Sequence, residues 1–241
     1  MLSEKYIELL KEDSTKFGIS LSEHQEEKFS LYAQLLVEWN EKINLTAITD
    51  EEGIVIKHFL DSISIIPFIG TETKSLIDVG TGAGFPGIPV KILNDKIKVT
   101  LLDSLEKRIK FLNEVSQNLG LKDIYSIHGR AEDFGSDKKY REQFDIATAR
   151  AVASLPVLLE YCLPFVKVGG LFIAMKGPDA KIEIKDSEKA LNVLGGEIME
   201  VKEFSLPNSD NERCIIIIKK CRHTPTGYPR KSGKPTKQPI K

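Results

Sequence analysis

Asp78 is followed by Gly80, Gly82 and Gly84, and Asp103 lies 21 residues beyond Gly82. Each acid stands in or at the end of an apolar run, Leu76 to Val79 and Val99 to Asp103. Two acid-tipped strands with a glycine turn after the first form a nucleotide-type cofactor site at the carboxyl edge of a parallel sheet. The glycines allow positive φ and close approach of backbone to a ligand.

Gly82-Ala-Gly-Phe-Pro-Gly87 matches the dinucleotide fingerprint letter for letter, and Asp103 has the spacing of a ribose-binding acid. An NAD(P)-dependent oxidoreductase is therefore one reading. Pro86 and Pro89 delay the helix that the third glycine of that fingerprint should enter. Asp78 directly before the glycines repels a pyrophosphate but suits a cation. S-adenosylmethionine has an ammonium, a sulfonium and a ribose, and no phosphate.

Arg130, Arg150 and Lys176 each fall near the expected carboxyl end of a strand, where ligands collect in such sheets. Arginine and lysine suit the binding of a flat base and its flanking phosphates. His58 and Asp61 share a helix face, a spacing that fits a structural contact with the sheet better than a catalytic pair. Trp39 reads as packing. No Asn/Asp-Pro-Pro-aromatic motif follows the fourth strand, and Cys162 sits in an expected helix rather than a Pro-Cys turn, which argues against adenine-amino and cytosine-C5 chemistry. The four histidines and three cysteines show no metal-ligand spacing, so no metal is expected.

The elements that position these residues follow from periodicity. Residues 1–66 read as a helical unit packed on the core, with a capping box at Ser20 and Glu23 and a helical face through Phe29, Tyr32, Ala33, Leu36, Val37, Asn40 and Ile43. A further helix covers Ile54 to Ile66, stopped by Pro67. Residues 67–220 alternate strand and helix, with strands at 75–79, 98–103, 124–128, 144–148 and 170–175. Helices are expected over 87–93, 105–119, 155–166 and 179–194. Two last strands, 197–204 and 214–219, are joined by a loop too short for a crossover and so form an antiparallel hairpin. Residues 221–241 read as a basic, flexible tail, because their Pro/Gly/Lys composition offers little to bury.

The net charge of −1 conceals an asymmetry: residues 219–241 carry eight basic groups and no acid, leaving −9 on the first 218 residues. An acidic body with a basic end points to an acidic partner such as nucleic acid, and the tail reads either as an RNA contact or as a solubility tail, which charge alone does not separate. No signal peptide and no apolar stretch of membrane-spanning length is seen, and the cysteines read as reduced thiols, so a cytoplasmic protein is expected.

The run from Asp78 to Pro89, then Leu101-Leu-Asp-Ser-Leu-Glu-Lys-Arg108, resembles the bacterial 16S rRNA guanine-N7 methyltransferases of the RsmG/GidB (glucose-inhibited division protein B) family. The likeness extends through Val37 to Thr46, His58 to Ser62, Gly129 to Glu132, Thr148 to Ser154, Met175 to Gly177 and the closing Tyr-Pro-Arg-Lys, covering nearly the whole chain in order. It implies a Rossmann-like class I S-adenosylmethionine-dependent methyltransferase: a mostly parallel seven-stranded sheet with a C-terminal antiparallel hairpin, plus N-terminal helices. By the resemblance Asp78, Gly80, Gly82, Gly84 and Phe85 line the methionine and ribose side, and Asp103 holds the ribose hydroxyls with Ser104 beside it. Ala131 and Glu132 meet the adenine largely through backbone. Arg150 stands next to cofactor and substrate, and Arg130 and Lys176 join it as substrate-side cations. The target implied is N7 of one guanine in 16S rRNA, within the small ribosomal subunit or a late precursor, with the enzyme a monomer and no membrane involved. That nitrogen has a free lone pair and no proton, so its methylation needs no general base. A non-catalytic RNA-binding factor with a vestigial cofactor site is the remaining alternative.

Overall fold

The computed structural model describes residues 1–150 and 152–241. Residue 151, inside the run Thr148 to Ser154, lies outside the described residues. In chain order the helices and strands are α1 (Glu4–Ser14), α2 (Glu23–Ile43), α3 (Glu51–Gly53), a π-helical stretch (Ile54–Leu60), α4 (Asp61–Ile63), β1 (Ser75–Val79), α5 (Gly87–Leu93), β2 (Lys98–Asp103), α6 (Glu106–Asn118), β3 (Ile124–His128), α7 (Ala131–Ser136), β4 (Phe144–Arg150), α8 (Leu155–Cys162), β5 (Val166–Lys176), α9 (Ala180–Lys185), α10 (Glu188–Leu194), β6 (Gly196–Ser205), β7 (Glu212–Lys220) and α11 (Lys234–Lys237).

The seven strands form one sheet in the order β3-β2-β1-β4-β5-β7-β6. β1 to β5 pair in parallel, and β7 pairs antiparallel with both β5 and β6. This is the mostly parallel, hairpin-terminated sheet expected from the strand spacing. The order reverses between β1 and β4, which opens a crevice at their carboxyl ends. Asp78 near the end of β1, Asp103 at the end of β2 and Arg150 at the end of β4 all reach that edge.

One face of the sheet is covered by the N-terminal helices. Phe29, Tyr32, Leu36, Phe59 and Ile63 share a single buried cluster with Leu76, Val99 and Leu101 of the strands. The helix α2 is capped by Ser22 and Gln25, not by Ser20 and Glu23: the Gln25 amide donates to the Ser22 hydroxyl at 3.4 Å and the Ser22 amide to the Gln25 carbonyl oxygen at 3.0 Å. Gln25 supplies the same reciprocal geometry two residues further on. The expected helix from Ile54 to Ile66 is instead a π-helical stretch flanked by single turns, ending at Ile63. The expected helix 179–194 is split at Asp186 and Ser187, and the end of 155–166 is a 3-10 turn held by Pro164.

The C-terminal segment corrects the expectation of a flexible tail. Residues 221–241 lie folded over α7 and α8. Arg141 donates to the carbonyls of Tyr228 at 2.7 Å and Thr224 at 2.6 Å, and Ile240 is buried. Arg230 forms a forked ion pair with Glu160, Nη2 to Oε2 2.6 Å and Nε to Oε1 2.9 Å, and its backbone amide donates to the same carboxylate at 2.8 Å. Glu160 is fully buried on α8. A Pro/Gly/Lys-rich stretch can pack when its anchors are backbone groups and a few ion pairs rather than an apolar stripe. Arg230→Ala should leave that carboxylate buried and unpaired, at a cost of about 3 kcal/mol in urea unfolding.

Candidate active site

The glycine turn is organised by the two acids rather than merely flanked by them. Asp78 Oδ2 accepts from the Thr81 hydroxyl at 2.6 Å and from the Gly87 amide at 2.9 Å. Asp103 Oδ2 accepts from the Gly82 amide at 2.9 Å, and its Oδ1 from the Leu105 amide at 2.9 Å. Gly82 has φ +62° and Gly84 φ +97°, and a Cβ at Gly84 would lie 2.5 Å from Ile88. Glycine is required there by conformation and by crowding.

The helical unit closes on this turn from above. The Tyr32 hydroxyl donates to the Ala83 carbonyl at 2.5 Å. The Phe85 ring stacks on His58 at 4.5 Å between centroids and on Tyr32 at 5.2 Å. The Arg150 guanidinium lies 4.9 Å from the Phe85 ring centroid. Arg150 Nη1 pairs with Asp61 Oδ2 at 2.9 Å, and Arg213 Nε with the other oxygen of Asp61 at 3.0 Å. The His58 and Asp61 side chains both hold Arg150, a contact between the helical unit and the end of β4. Trp39 packs on Phe111 at 5.8 Å.

Three cavities line up along the carboxyl edge. The first is bounded by Gly80, Asp103, Ser104, Arg130, Ala131 and Glu132, together with Tyr161 of α8 and Thr236 of α11. The second shares Gly80, Asp103, Ser104 and Val152 with it and adds Thr46, His58, Gly82, Phe85, Arg108 and Arg150. The third shares only His58 and Arg150 with the second and adds Lys57, Asp61, Lys176, Asp179, Glu183 and Arg213. Arg150 and His58 therefore stand where the second cavity meets the third.

The expected site residues do not all converge. Gly80, Gly82, Phe85, Asp103, Ser104, Ala131, Glu132 and Arg150 line the first two cavities. Gly84 faces Tyr32 and Ile88 instead. Asp78 is fully buried under the turn and lines none of the three. Arg130 lines the first cavity, apart from Arg150 and Lys176, so the three basic residues do not form one group. Lys176 is held by Glu183 at 2.8 Å and by the Ala153 carbonyl at 2.8 Å. Arg213, Tyr161 and Thr236 were not singled out in the sequence. Among the described residues no three His, Cys, Asp or Glu side chains converge as a metal site would require.

The electrostatics suit a cationic ligand. Burial raises the Asp78 carboxyl to about 6, against hydrogen bonds from Thr81 and Gly87 that lower it. Its Oδ1 is buried with no partner, so when ionised it is a site of negative charge that a nearby cation would stabilise. The amide of Gly87, the first of α5, is already given to Asp78, and Pro86 and Pro89 have no amide to give. The helix start that would cradle a pyrophosphate is therefore spent internally, which disfavours a dinucleotide. Asp103 has spent three acceptor positions, on Gly82, Leu105 and Arg108, leaving capacity for a ribose hydroxyl. A molecule with an ammonium, a sulfonium and a ribose fits these residues. Burial and the Arg150 charge lower His58 to about 3, so it is neutral. With Arg150 Nη2 at 3.3 Å from Nδ1, that nitrogen is assigned as acceptor and Nε2–H as donor to the Thr46 hydroxyl at 2.9 Å.

The family model described as "GidB: rRNA small subunit methyltransferase G" matches residues 25–214. The chain is 61% identical over 98% of its length to "Ribosomal RNA small subunit methyltransferase G" of Acetivibrio thermocellus, covering 97% of that protein. It is 55% identical over 97% of its length to the protein of the same name from Alkaliphilus metalliredigens, covering 98% of it. Among solved structures, it resembles TrmN from Thermus thermophilus with a TM-score of 0.52 at 14% identity, over 69% of this chain and 53% of that one. It resembles the Methanococcus jannaschii fibrillarin pre-rRNA processing protein with a TM-score of 0.50 at 17% identity, over 62% of this chain and 68% of that one. These two likenesses concern the fold alone.

A bound cation favours ionised Asp78, so it should lower that pKa and expel a proton near pH 6. Affinity for S-adenosylmethionine should be full above pH 7 and fall as pH drops through about 6. Calorimetric titrations in buffers of different ionisation heat check this. Asp78→Asn should weaken binding at pH 7.5 and abolish the pH dependence below it.

Proposed function

The chain belongs to the GidB family of small-subunit ribosomal RNA methyltransferases, and on that premise we propose that it methylates N7 of a specific guanine in 16S rRNA with S-adenosylmethionine as donor. The observation that carries the reading is the meeting of two cavities at Arg150. One is built from the glycine turn and Asp103, the other from Lys57, Lys176 and Arg213. When bound, S-adenosylmethionine supplies a methyl group on a sulfonium, open to in-line displacement.

The chain's own residues then have to position, not to deprotonate. Guanine N7 carries a lone pair and no proton, so no base is required. The neutral His58 fits that, since its Nδ1 lone pair faces Arg150 and its other nitrogen faces Thr46. Asp103 and Ser104 would orient the ribose, and the backbone at Ala131 and Glu132 the adenine. Gly80 and Gly82 would admit the methionine portion, with Asp78 acting through its charge from beneath the turn. Arg150 is fixed on three sides by Asp61, Phe85 and His58, a rigidity that suits the wall between donor and acceptor. Lys176 and Arg213 would meet O6 or flanking phosphates. Arg130, on the adenosine side, would serve cofactor or RNA backbone rather than the reacting base.

The substrate is RNA in the small ribosomal subunit or a late precursor, met in the cytoplasm. No described helix is long and apolar enough to cross a membrane. The same reading takes the enzyme as a monomer.

The test is methyl transfer from labelled S-adenosylmethionine to small subunits that lack the modification, with nucleosides identified by mass spectrometry. Labelled 7-methylguanosine is expected, and label in another nucleoside or none contradicts the reading. Arg150→Lys keeps the charge but loses the fork and the stack on Phe85, and should lower the transfer rate about 100-fold. S-adenosylhomocysteine affinity should change much less.

A further inference from the structure

The C-terminal segment passes the cofactor cleft, and two of its attachment points, Glu132 and Tyr161, are residues of that cleft. Thr236 lines the same cavity as Asp103, Ser104, Ala131 and Glu132. Its hydroxyl lies 2.9 Å from the phenol oxygen of Tyr161, which lines that cavity from α8. The Gly233 amide donates to Glu132 Oε1 at 3.0 Å. The buried Glu132, itself a lining residue of the cavity, therefore holds the C-terminal segment through its carboxylate. Pro235 is buried between these two contacts, and the segment is anchored upstream by Arg230 on Glu160, the neighbour of Tyr161.

Part of the basic charge at this end of the chain is engaged within the protein, while Lys231, Lys234 and Lys237 are exposed and enter no ion pair among the described residues. Arg230 is spent on Glu160, Lys220 on Glu142 at 3.3 Å and Lys241 on Asp186 at 2.5 Å. Arg222 donates to the backbone and side-chain oxygens of Asn192. Three of these charges, on Lys220, Arg230 and Lys241, are matched by acids of the body, which accounts for part of the charge asymmetry without a polyanionic partner.

We propose that residues 233–237 are a strap that completes the adenosine end of the cofactor site, with Thr236 and Tyr161 as adenosine-contacting residues. This rests on the reading of the cleft as an S-adenosylmethionine site. Two adjoining hydroxyls can each donate or accept. They match the edge of adenine, which presents an amino donor beside ring-nitrogen acceptors. The strap and the end of β1 line one cavity, so the adenosine would lie against both.

The experiment compares two ligands by calorimetry on the full-length protein. S-adenosylhomocysteine has both ends, and 5′-methylthioadenosine lacks the amino-acid end. The double variant Tyr161→Phe, Thr236→Val removes both hydroxyls with little change of volume. Both ligands should weaken by a similar factor, about five- to ten-fold, with an unchanged melting temperature. Deletion of residues 234–241 should weaken both further and leave binding of small-subunit RNA within about two-fold. Wild-type affinity for both ligands in the double variant overturns the proposal. So does a deletion that loses RNA binding and keeps cofactor binding, the outcome a basic RNA arm would give. Absence of any binding by the wild-type chain overturns instead the cofactor reading beneath it.

Discussion

Asp61 is buried, and each of its carboxylate oxygens holds an arginine: Arg150 from the end of β4 and Arg213 from β7. A carboxylate taken out of water costs several kcal/mol unless such partners are in place. The N-terminal helices, the central strands and the C-terminal hairpin are thereby tied at one point. The same arginine stacks on Phe85 of the glycine turn and touches His58. Moving the helical unit would strand a charge, unstack an aromatic ring and open the boundary between two cavities together. The N-terminal helices are in this sense part of the active site, although they bring it neither the nucleotide-type motif nor an acid–base pair.

The geometry separates holding charge from doing acid–base chemistry. Asp78 is kept under the turn with one oxygen unpartnered, Asp103 shapes the turn and keeps acceptor capacity, and His58 is neutral with both nitrogens engaged. None of these is arranged as a free general base aimed at the third cavity. A transfer that needs alignment and a stable electrostatic field, but no proton removal, is what such an arrangement serves.

Much of this was legible in the chain. The strands announce themselves because buried parallel strands read as apolar runs, and the acids that end them mark the ligand edge. The π-helical stretch at Ile54–Leu60 was not legible, because its residues carry the same apolar pattern as an ordinary helix. The C-terminal segment misled because composition reports what a segment can bury, not which backbone amides and ion pairs it can make. One signal was present: Glu160 stands in an otherwise apolar helix, Leu155 to Cys162, and a buried acid there demands a cation from elsewhere. Arg230 is that cation. Tyr161 and Thr236 had no motif to mark them, since they meet only through the path of the segment. Asp78 lies one residue before the end of β1, and the sequence does not reveal that the glycine turn folds over it and keeps it out of the cavities.

In the proposed function Arg150 is the boundary across which a methyl group passes. The most direct measurement is a structure of the chain bound to S-adenosylhomocysteine and a guanine-bearing fragment of its rRNA target. The account requires the sulfur on the Asp103 side of Arg150 and the guanine in the cavity with Lys176 and Arg213, its N7 in line with the sulfur across the position a methyl group would occupy. A guanine reaching the sulfur by any other face, with that cavity empty and Arg150 remote from the base, would contradict it.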